Sequence, residues 1–323
     1  MGGSWVGGAW VFQSADGIHF TPMAREPVIP PTMGNKLNPP FAGSTSALWD
    51  PVGRRYLSFH RAGRPVYTWR EIVMSRSADF LDWSDPVYLE YPGAPIQQLY
   101  TNPISAYARA PHILVGFPKR FIQGRKATDV PGATDGLSDG VFMSSRDGLH
   151  FRRWAEAFVR PGPQADNWVS RNNSIAKGVV VTGSHLVEAP DELSIYVVEG
   201  YYSVRRNRCR LRRHTIRMDG FVSAQAPFSG GELVTKPVVF EGKTLVMNYS
   251  TSAAGSLSVE LQTELGKPID GFTLADCGEI YGDEIERVVS WKGNSDLSKL
   301  AGTPVRLRFV IKDGDLYSIR FQP

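Results

Sequence analysis

The sequence predicts an all-β chain, with a partial β-propeller over residues 1–224 and a β-sandwich over 225–323. Three observations lead there. Gly (32) and Pro (23) are frequent, aromatics make up 11%, and runs such as VVFEGKTLVMNY are β-branched or alternating, a composition that favours strands and tight turns. The phrase SADGIHF at 14–20 returns as SRDGLHF at 145–151, and more loosely as SADFLDW at 77–83 and RMDGF at 217–221. Its aspartates, Asp16, Asp79, Asp147 and Asp219, are spaced by steps of 63, 68 and 72 residues. Between them each repeat holds about four short strand patterns, the periodicity of propeller blades.

The first unit is half present: AWVFQS and HFTPM supply a third and a fourth strand on either side of Asp16. The second is complete, with GSTSALW, a turn at DPVGRR, YLSFHR, EIVMSRS, the Asp79 turn and WSDPVYLE. The third repeats that order with NPISAY, HILVGFPKRF, a loop through Gly136, DGVFMSS, the Asp147 turn and HFRRWAEAF. The fourth runs NWVSRNNSIAKGVVVTG, ELSIYVVEGYY and RCRLRRHTIR, and then reaches Asp219. This amounts to some three and a half blades, fewer than a closed propeller usually needs, so the chain is expected to be a shortened form of a longer protein or to close irregularly.

After about Gln225 the phrase stops. GELVTKPVVF, KTLVMNYS, SLSVELQT, IERVVSWK, PVRLRFVIK and LYSIRF read as six short strands, with EGK, AAG and KDGD between them as turn signals. KDGD between alternating runs predicts a hairpin, and six such strands predict a sandwich. SDLSKLAG is the one helix-like patch expected.

A formal charge of +4 and a pI near 9.0, without a lysine-rich tract, argue against a nucleic-acid partner while leaving room for a basic pocket. Cys209 and Cys277 stand alone, so neither a disulfide framework nor a zinc site is expected. No metal or cofactor is called for, because no ligand cluster, nucleophile elbow or phosphate-cradling glycine loop is present; GGSWVGG lacks the helix such a loop needs. No apolar run is long enough to span a membrane, and MGGSWVGGAWVF lacks the basic start and apolar core of a signal peptide. The oligomeric state is not legible.

The phrases SADFLDWS, LYTNPISAY, DGVFMSSRDGLHFRRW, RMDGFVS, TKPVVFEGKTLVMNY and VRLRFVIKDGDLYSIRF resemble those of a bacterial group of glycoside hydrolase-like proteins. That group is related to the five-bladed propeller hydrolases of glycoside hydrolase families 32, 43 and 68. The resemblance covers nearly the whole chain and implies a five-bladed propeller with a trailing sandwich, a poly- or oligosaccharide partner, and secretion or periplasmic residence. The family 32 motifs W-x-N-D-P, R-D-P and E-C are absent. LWDP at 48–51 echoes the first of them, with Asp50 expected in a β-turn. The S-x-D-G phrases also resemble the Asp boxes of sialidases, which are structural turns.

In a propeller, the start of the first strand, the end of the second and the start of the third share one face around the axis. That face is expected to hold Asn38, His60, Arg61 and Glu71 from the first full blade. The next contributes Tyr100, Asn102, Lys119, Arg120 and Asp139, and the last Asp166, Trp168, Arg171, Asn172, Glu199 and Tyr201. Glycosidic hydrolysis commonly needs one protonated and one ionised carboxyl group. Glu199, among the apolar neighbours of IYVVEGYY, is the expected acid, Asp139 its partner, and Glu71 and Asp166 the reserves. Arg61, Arg120 and Arg171, one per blade, suit a carboxylate or sulfate on an acidic sugar. Tyr100, Trp168 and Tyr201 could stack on a sugar ring, and Asn38, Asn102 and Asn172 could bind its hydroxyls. Three alternatives stand beside hydrolysis by carboxylates: a non-catalytic carbohydrate-binding propeller, a sialidase-like enzyme with an arginine cluster and a tyrosine nucleophile, and a structural or interaction module.

Overall fold

The computed structural model describes residues 2–4, 8–30, 33, 45–64, 69–127, 135–201 and 209–323. The chain is all-β and falls into two compact units, residues 1–180 with 194–214 and residues 181–193 with 215–323. Asn38 lies outside the described residues.

The first unit opens with Gly2–Ser4 (β1) paired to Gly8–Trp10 (β2), and Phe12–Gln13 (β3) paired to Thr21–Pro22 (β4) across the Asp16 turn. A four-stranded antiparallel meander follows: Ser46–Asp50 (β5), Arg55–Arg64 (β6), Trp69–Ser77 (β7) and Val87–Tyr88 (β8), hydrogen-bonded in that order. The turn from β5 to β6 is fastened by Asp50, whose Oδ1 accepts from the amides of Val52 and Gly53.

The next blade has the same plan with a break in two of its strands. Gln98–Leu99 (β9) and Ile104–Tyr107 (β10) form the first strand, and Ala110–Gly116 (β11) and Lys119–Ile122 (β12) the second. Both β11 and β12 pair with Leu137–Ser145 (β13), which pairs in turn with Arg152–Val159 (β14). The gap in the second strand falls at Phe117–Pro118, where proline has no amide to give to the ladder. Leu57, Phe59, Ile72 and Met74 of the first meander share one apolar cluster with Ile104, Leu114, Val141, Met143 and Phe151 of the second. Blade-to-blade packing therefore rests on inward-facing residues of the central strands.

The third blade is leaner. Ser174–Ile175 (β15) pairs with Glu192–Glu199 (β17) at Ser174↔Val198 and Ile175↔Val197. Val180–Thr182 (β16) belongs to the same sheet, and Arg210–Arg217 (β18) also pairs with β17.

The aspartate phrase builds one turn three times. At Asp147, Oδ1 accepts from the amides of Leu149 and His150, Oδ2 lies 2.6 Å from His150 Nδ1, and Ser145 Oγ accepts from the Gly148 amide. Ser14, Asp16 and His19 repeat this atom for atom, and Ser77 and Asp79 repeat the backbone part. The fourth copy differs: Asp219 itself takes φ +57°, and its Oδ2 accepts from Ser318 Oγ.

In the second unit Ala224–Ala226 (β19) and Gly231–Val234 (β20) both pair with the last strand, Val305–Gln322 (β23). The neighbour of β23 is Thr244–Thr263 (β21), which also pairs with Asp283–Val288 (β22). The expected short strands KTLVMNYS and SLSVELQT are thus one strand of 20 residues, and PVRLRFVIK and LYSIRF one of 18. AAG and KDGD are corners within strands, not hairpin turns. The β21–β23 register slips between Thr251 and Ser256, and a Cβ on Gly255 would stand 2.4 Å from the Asp313 carbonyl, so only bare backbone fits there. Strands that bend through bulges carry a sheet around a corner. The inward residues on both sides of that corner, Leu245, Met247 and Tyr249 with Leu257, Val259 and Leu261, accordingly share one core with Trp291, Leu307 and Phe309.

The SDLSKLAG patch forms a single 3-10 turn, Ser298–Leu300. A short helix, Leu274–Cys277, was not anticipated, although its capping box, Thr273 with Asp276, is legible as TLAD. No helix among the described residues is long and apolar enough to cross a membrane.

Candidate functional site

Pairing of β12 with β9 places Arg120 opposite Leu99 and sets Tyr100 beside Lys119, whose carbonyl accepts from the Tyr100 amide at 2.7 Å. The Lys119 amide donates to Thr101 Oγ1. Three cations from two blades gather on the Tyr100 ring: Lys119 Nζ at 4.4 Å from its centroid, the Arg61 guanidinium at 4.7 Å and that of Arg70 at 4.9 Å. An electron-rich ring face attracts each of them. Arg61 and Arg70 reach it together because β6 and β7 pair Gly63 with Arg70, two residues past Arg61.

A third blade adds Arg171. Its guanidinium lies 5.5 Å from the centre of the Tyr201 ring, and Nη1 donates to Tyr201 Oη at 3.4 Å. Arg171 and Asn173 hold φ of +68° and +58°, a costly backbone state for residues with a Cβ. Hydrogen bonds on all sides impose it. Asn172 Nδ2 donates to the Asp166 carbonyl and its Oδ1 accepts from the Tyr201 amide, while Asn173 Nδ2 donates to the carbonyls of Ser138 and Asn167.

The electrostatics of Lys119 show that these groups act together. Burial, and then the positive charges of Arg171, Arg70 and Arg61, bring its ammonium down to about 8. Burial also lowers Arg70, with Arg61 and Arg171 adding to the effect and Tyr100 opposing it. Lys119 and Arg61 are each 5% exposed. The centre of the site is therefore a buried cationic cradle floored by an aromatic ring.

The predicted residues sort unevenly around it. Arg61, Tyr100, Arg171 and Tyr201 belong to the cradle or its edge. Trp168 is 38% exposed and donates from Nε1 to the Gly162 carbonyl. Asp166 sits in the short 3-10 turn Ala165–Asn167 and, through its carbonyl, anchors Asn172.

Others have different roles. Arg120 does not join Arg61 and Arg171: it forks onto Asp139, its cross-strand partner, with Nε to Oδ1 at 2.8 Å and Nη2 to Oδ2 at 2.5 Å. That fork occupies the Asp139 carboxylate as well. Asn102 is wholly buried and donates from Nδ2 to the Phe59 carbonyl while its own carbonyl accepts from Ser46 Oγ. It braces one blade on another, and Asn172 likewise spends both ends of its amide on backbone.

Glu71 neighbours Arg70 on β7, and successive strand residues point to opposite faces. While Arg70 lies on Tyr100, Glu71 lines a separate cavity of about 320 Å³ with Tyr91, Gln97 and Arg153.

Glu199 departs furthest from expectation. Burial works to raise its carboxyl, as IYVVEGYY suggests, but hydrogen bonds from Arg212 and Arg210 outweigh it and the net shift is downward. Arg212 Nε reaches Oε1 at 2.8 Å and Arg210 Nη2 reaches Oε2 at 2.8 Å. A carboxylate held this way stays ionised at neutral pH and has no proton to give. His60, fully buried, is lowered by burial to about 4 and stays neutral.

Sequence reasoning missed Arg70. The signal was available, since alternation in WREIVM sets Arg70 on the face opposite Glu71. Among the described residues no group of His, Cys, Asp and Glu side chains could hold a metal ion.

No family model and no curated protein matches the chain. Solved structures do. An N-acetylgalactosamine deacetylase from F. plautii, in complex with blood group B trisaccharide, matches at 11% identity over 53% of this chain and 48% of its own, with a TM-score of 0.37. A glycoside hydrolase family 43 arabinoxylan arabinofuranohydrolase from Bacillus subtilis matches at 10% over 98% and 74%, with a TM-score of 0.30. A Bombyx mori GH32 beta-fructofuranosidase matches at 9% over 97% and 72%, with a TM-score of 0.34. The chain spans about half the length of the first structures it matches. At these identities and TM-scores the likenesses carry no argument about this chain.

Proposed function

We propose that this chain is a carbohydrate-active propeller protein whose site takes an acidic or sulfated saccharide. The observation that carries the reading is the convergence of Arg61, Arg70 and Lys119 on Tyr100, with Arg171 close enough to lower Lys119. Cations concentrated at one place, two of them buried, favour an anion, and guanidinium forks match the paired oxygens of carboxylate or sulfate. The ring of Tyr100 or Tyr201 offers an apolar face to a sugar.

Of the mechanisms open to such a site, the arrangement supports the arginine-cluster reading beside a tyrosine over hydrolysis by Glu199 and Asp139. Both of those carboxylates are committed to arginine partners.

The test is binding and turnover on a panel of uronate-containing, sulfated and neutral oligosaccharides, with Arg61→Ala and Arg171→Ala beside the wild type. Loss of one charge-assisted contact is worth about 1.5–3 kcal/mol, or roughly ten- to a hundredfold in affinity. Each variant is expected to lose that much on acidic members alone. Equal affinity for neutral and acidic members, or variants that bind like the wild type, would overturn the proposal.

A further inference from the structure

We propose that Lys119 is an amine nucleophile, and that the acidic sugar it meets carries a free carbonyl group with which Lys119 forms an imine. The proposal rests on the anionic-ligand reading above and deepens it by naming the ligand class: a 2-keto acid, or a sugar acid whose open-chain form exposes an aldehyde.

Four observations carry it. Lys119 Nζ lies 4.4 Å from the centre of the Tyr100 ring, on a side chain only 5% exposed. Among the described residues no hydrogen bond or ion pair reaches that nitrogen, so no carboxylate holds its proton in place. Arg61 and Arg70 share the same ring, and Arg171 bears on Lys119 electrostatically. A lysine enclosed among cations keeps an accessible neutral fraction near neutral pH, the usual way a lysine is activated towards carbonyl compounds. With its ammonium down at about 8, roughly a tenth of Lys119 is neutral at pH 7, against less than about a thousandth of an ordinary lysine. The three arginines would also hold the carboxylate of a keto acid, so groups that add to burial in releasing the proton from Lys119 also recruit its reaction partner.

The step balances without a further reagent. The Nζ lone pair attacks the carbonyl carbon and the C=O π pair moves to oxygen, giving a carbinolamine. Both amine protons leave with that oxygen as water, and a C=N bond remains. Arginine could not perform the step, which explains a lysine among arginines at this position better than charge does.

The experiment is reductive trapping of the whole chain. The protein is incubated with pyruvate, with glucuronate, or with neutral glyceraldehyde, each with cyanoborohydride at pH 7, and the reduced adducts are located by peptide mapping. Pyruvate or glucuronate is expected to label Lys119 at least about tenfold faster than the average surface lysine, and glyceraldehyde is expected to show no such preference. Lys119→Arg, which keeps the charge, should abolish the fast adduct.

The outcomes separate the two readings. If a methyl glucuronoside binds and Lys119 is not labelled preferentially, the imine proposal falls and acidic-sugar binding stands. If the glucuronoside does not bind and Lys119 labels equally with neutral and acidic carbonyls, the acidic-sugar reading falls. Uniform labelling of many lysines, or an undiminished fast adduct in Lys119→Arg, overturns the imine.

Discussion

A glutamate at the end of IYVVEGYY can be a buried acid or one arm of an ion pair, and the strand around it does not say which. The deciding residues, Arg210 and Arg212, lie eleven and thirteen positions on, and they reach Glu199 because β18 lines β17. Two guanidinium groups then outweigh burial, and the carboxyl is held below its ordinary range. A depressed carboxylate contributes stability that is fully present above its unfolded value, near 4.3, and that is lost as pH falls through the lower folded value. Glu199→Gln should therefore lower the denaturation midpoint at neutral pH, by a free energy of about 1–2 kcal/mol since both arginines are partly solvated. The wild type and the variant should converge under acid. Affinity for acidic oligosaccharides should be unaffected, and a fall in turnover without a fall in stability would restore Glu199 to the chemistry. The same argument explains why the arginines were only half legible. Arg61 and Arg171 could be placed on one face by strand order, whereas Arg120 was claimed by Asp139 through a cross-strand pairing that counting strands does not reveal.

Among the elements, the aspartate turn is the best specified by sequence because its hydrogen bonds are all local. Ser145, Asp147, Gly148 and His150 satisfy one another within six residues, so copying the phrase copies the turn. Phe80 holds the same conformation, φ +71°, in the second copy, and where the phrase carries glycine two separable costs attach to replacing it. Gly17 and Gly148 both hold positive φ, +73° and +79°; a Cβ on Gly17 would meet nothing within 4 Å, while one on Gly148 would come 2.7 Å from Leu57 Cδ1 in the core. Gly17→Ala should cost only the backbone term, about 1–2 kcal/mol. Gly148→Ala should cost that and a further 1–3 kcal/mol or so for overpacking, a difference readable in paired denaturation curves. Equal losses would mean that Leu57 yields freely. The corners of β21 and β23 were illegible for the opposite reason. AAG and KDGD have the composition of turns, but what makes them corners is pairing between two strands some sixty residues apart, Thr251 with Gly314 and Ser256 with Lys312. Local chemistry specifies that the chain bends there; only the partner strand determines that it continues.

Across the whole molecule, a formal charge of +4 and a pI near 9.0 attract any polyanion, and the cradle at Tyr100 must be distinguished from that general field. Salt makes the distinction. Screening reduces the Debye length from about 10 Å at 0.1 M to about 3 Å at 1 M, and it acts on exposed charges far more than on buried ones. Surface attraction spread over many lysines and arginines should therefore vanish by about 0.5 M salt, whereas contacts to Arg61 and Lys119, each 5% exposed, should persist. At low salt the wild type and Arg61→Ala are both expected to retain a long sulfated or uronate polysaccharide. At about 0.5 M salt only the wild type should hold it, and a short acidic oligosaccharide should show the difference between the two proteins at every salt concentration. Binding that disappears in parallel for both proteins as salt rises would mean that net charge alone draws the polymer and that the cradle does not engage it.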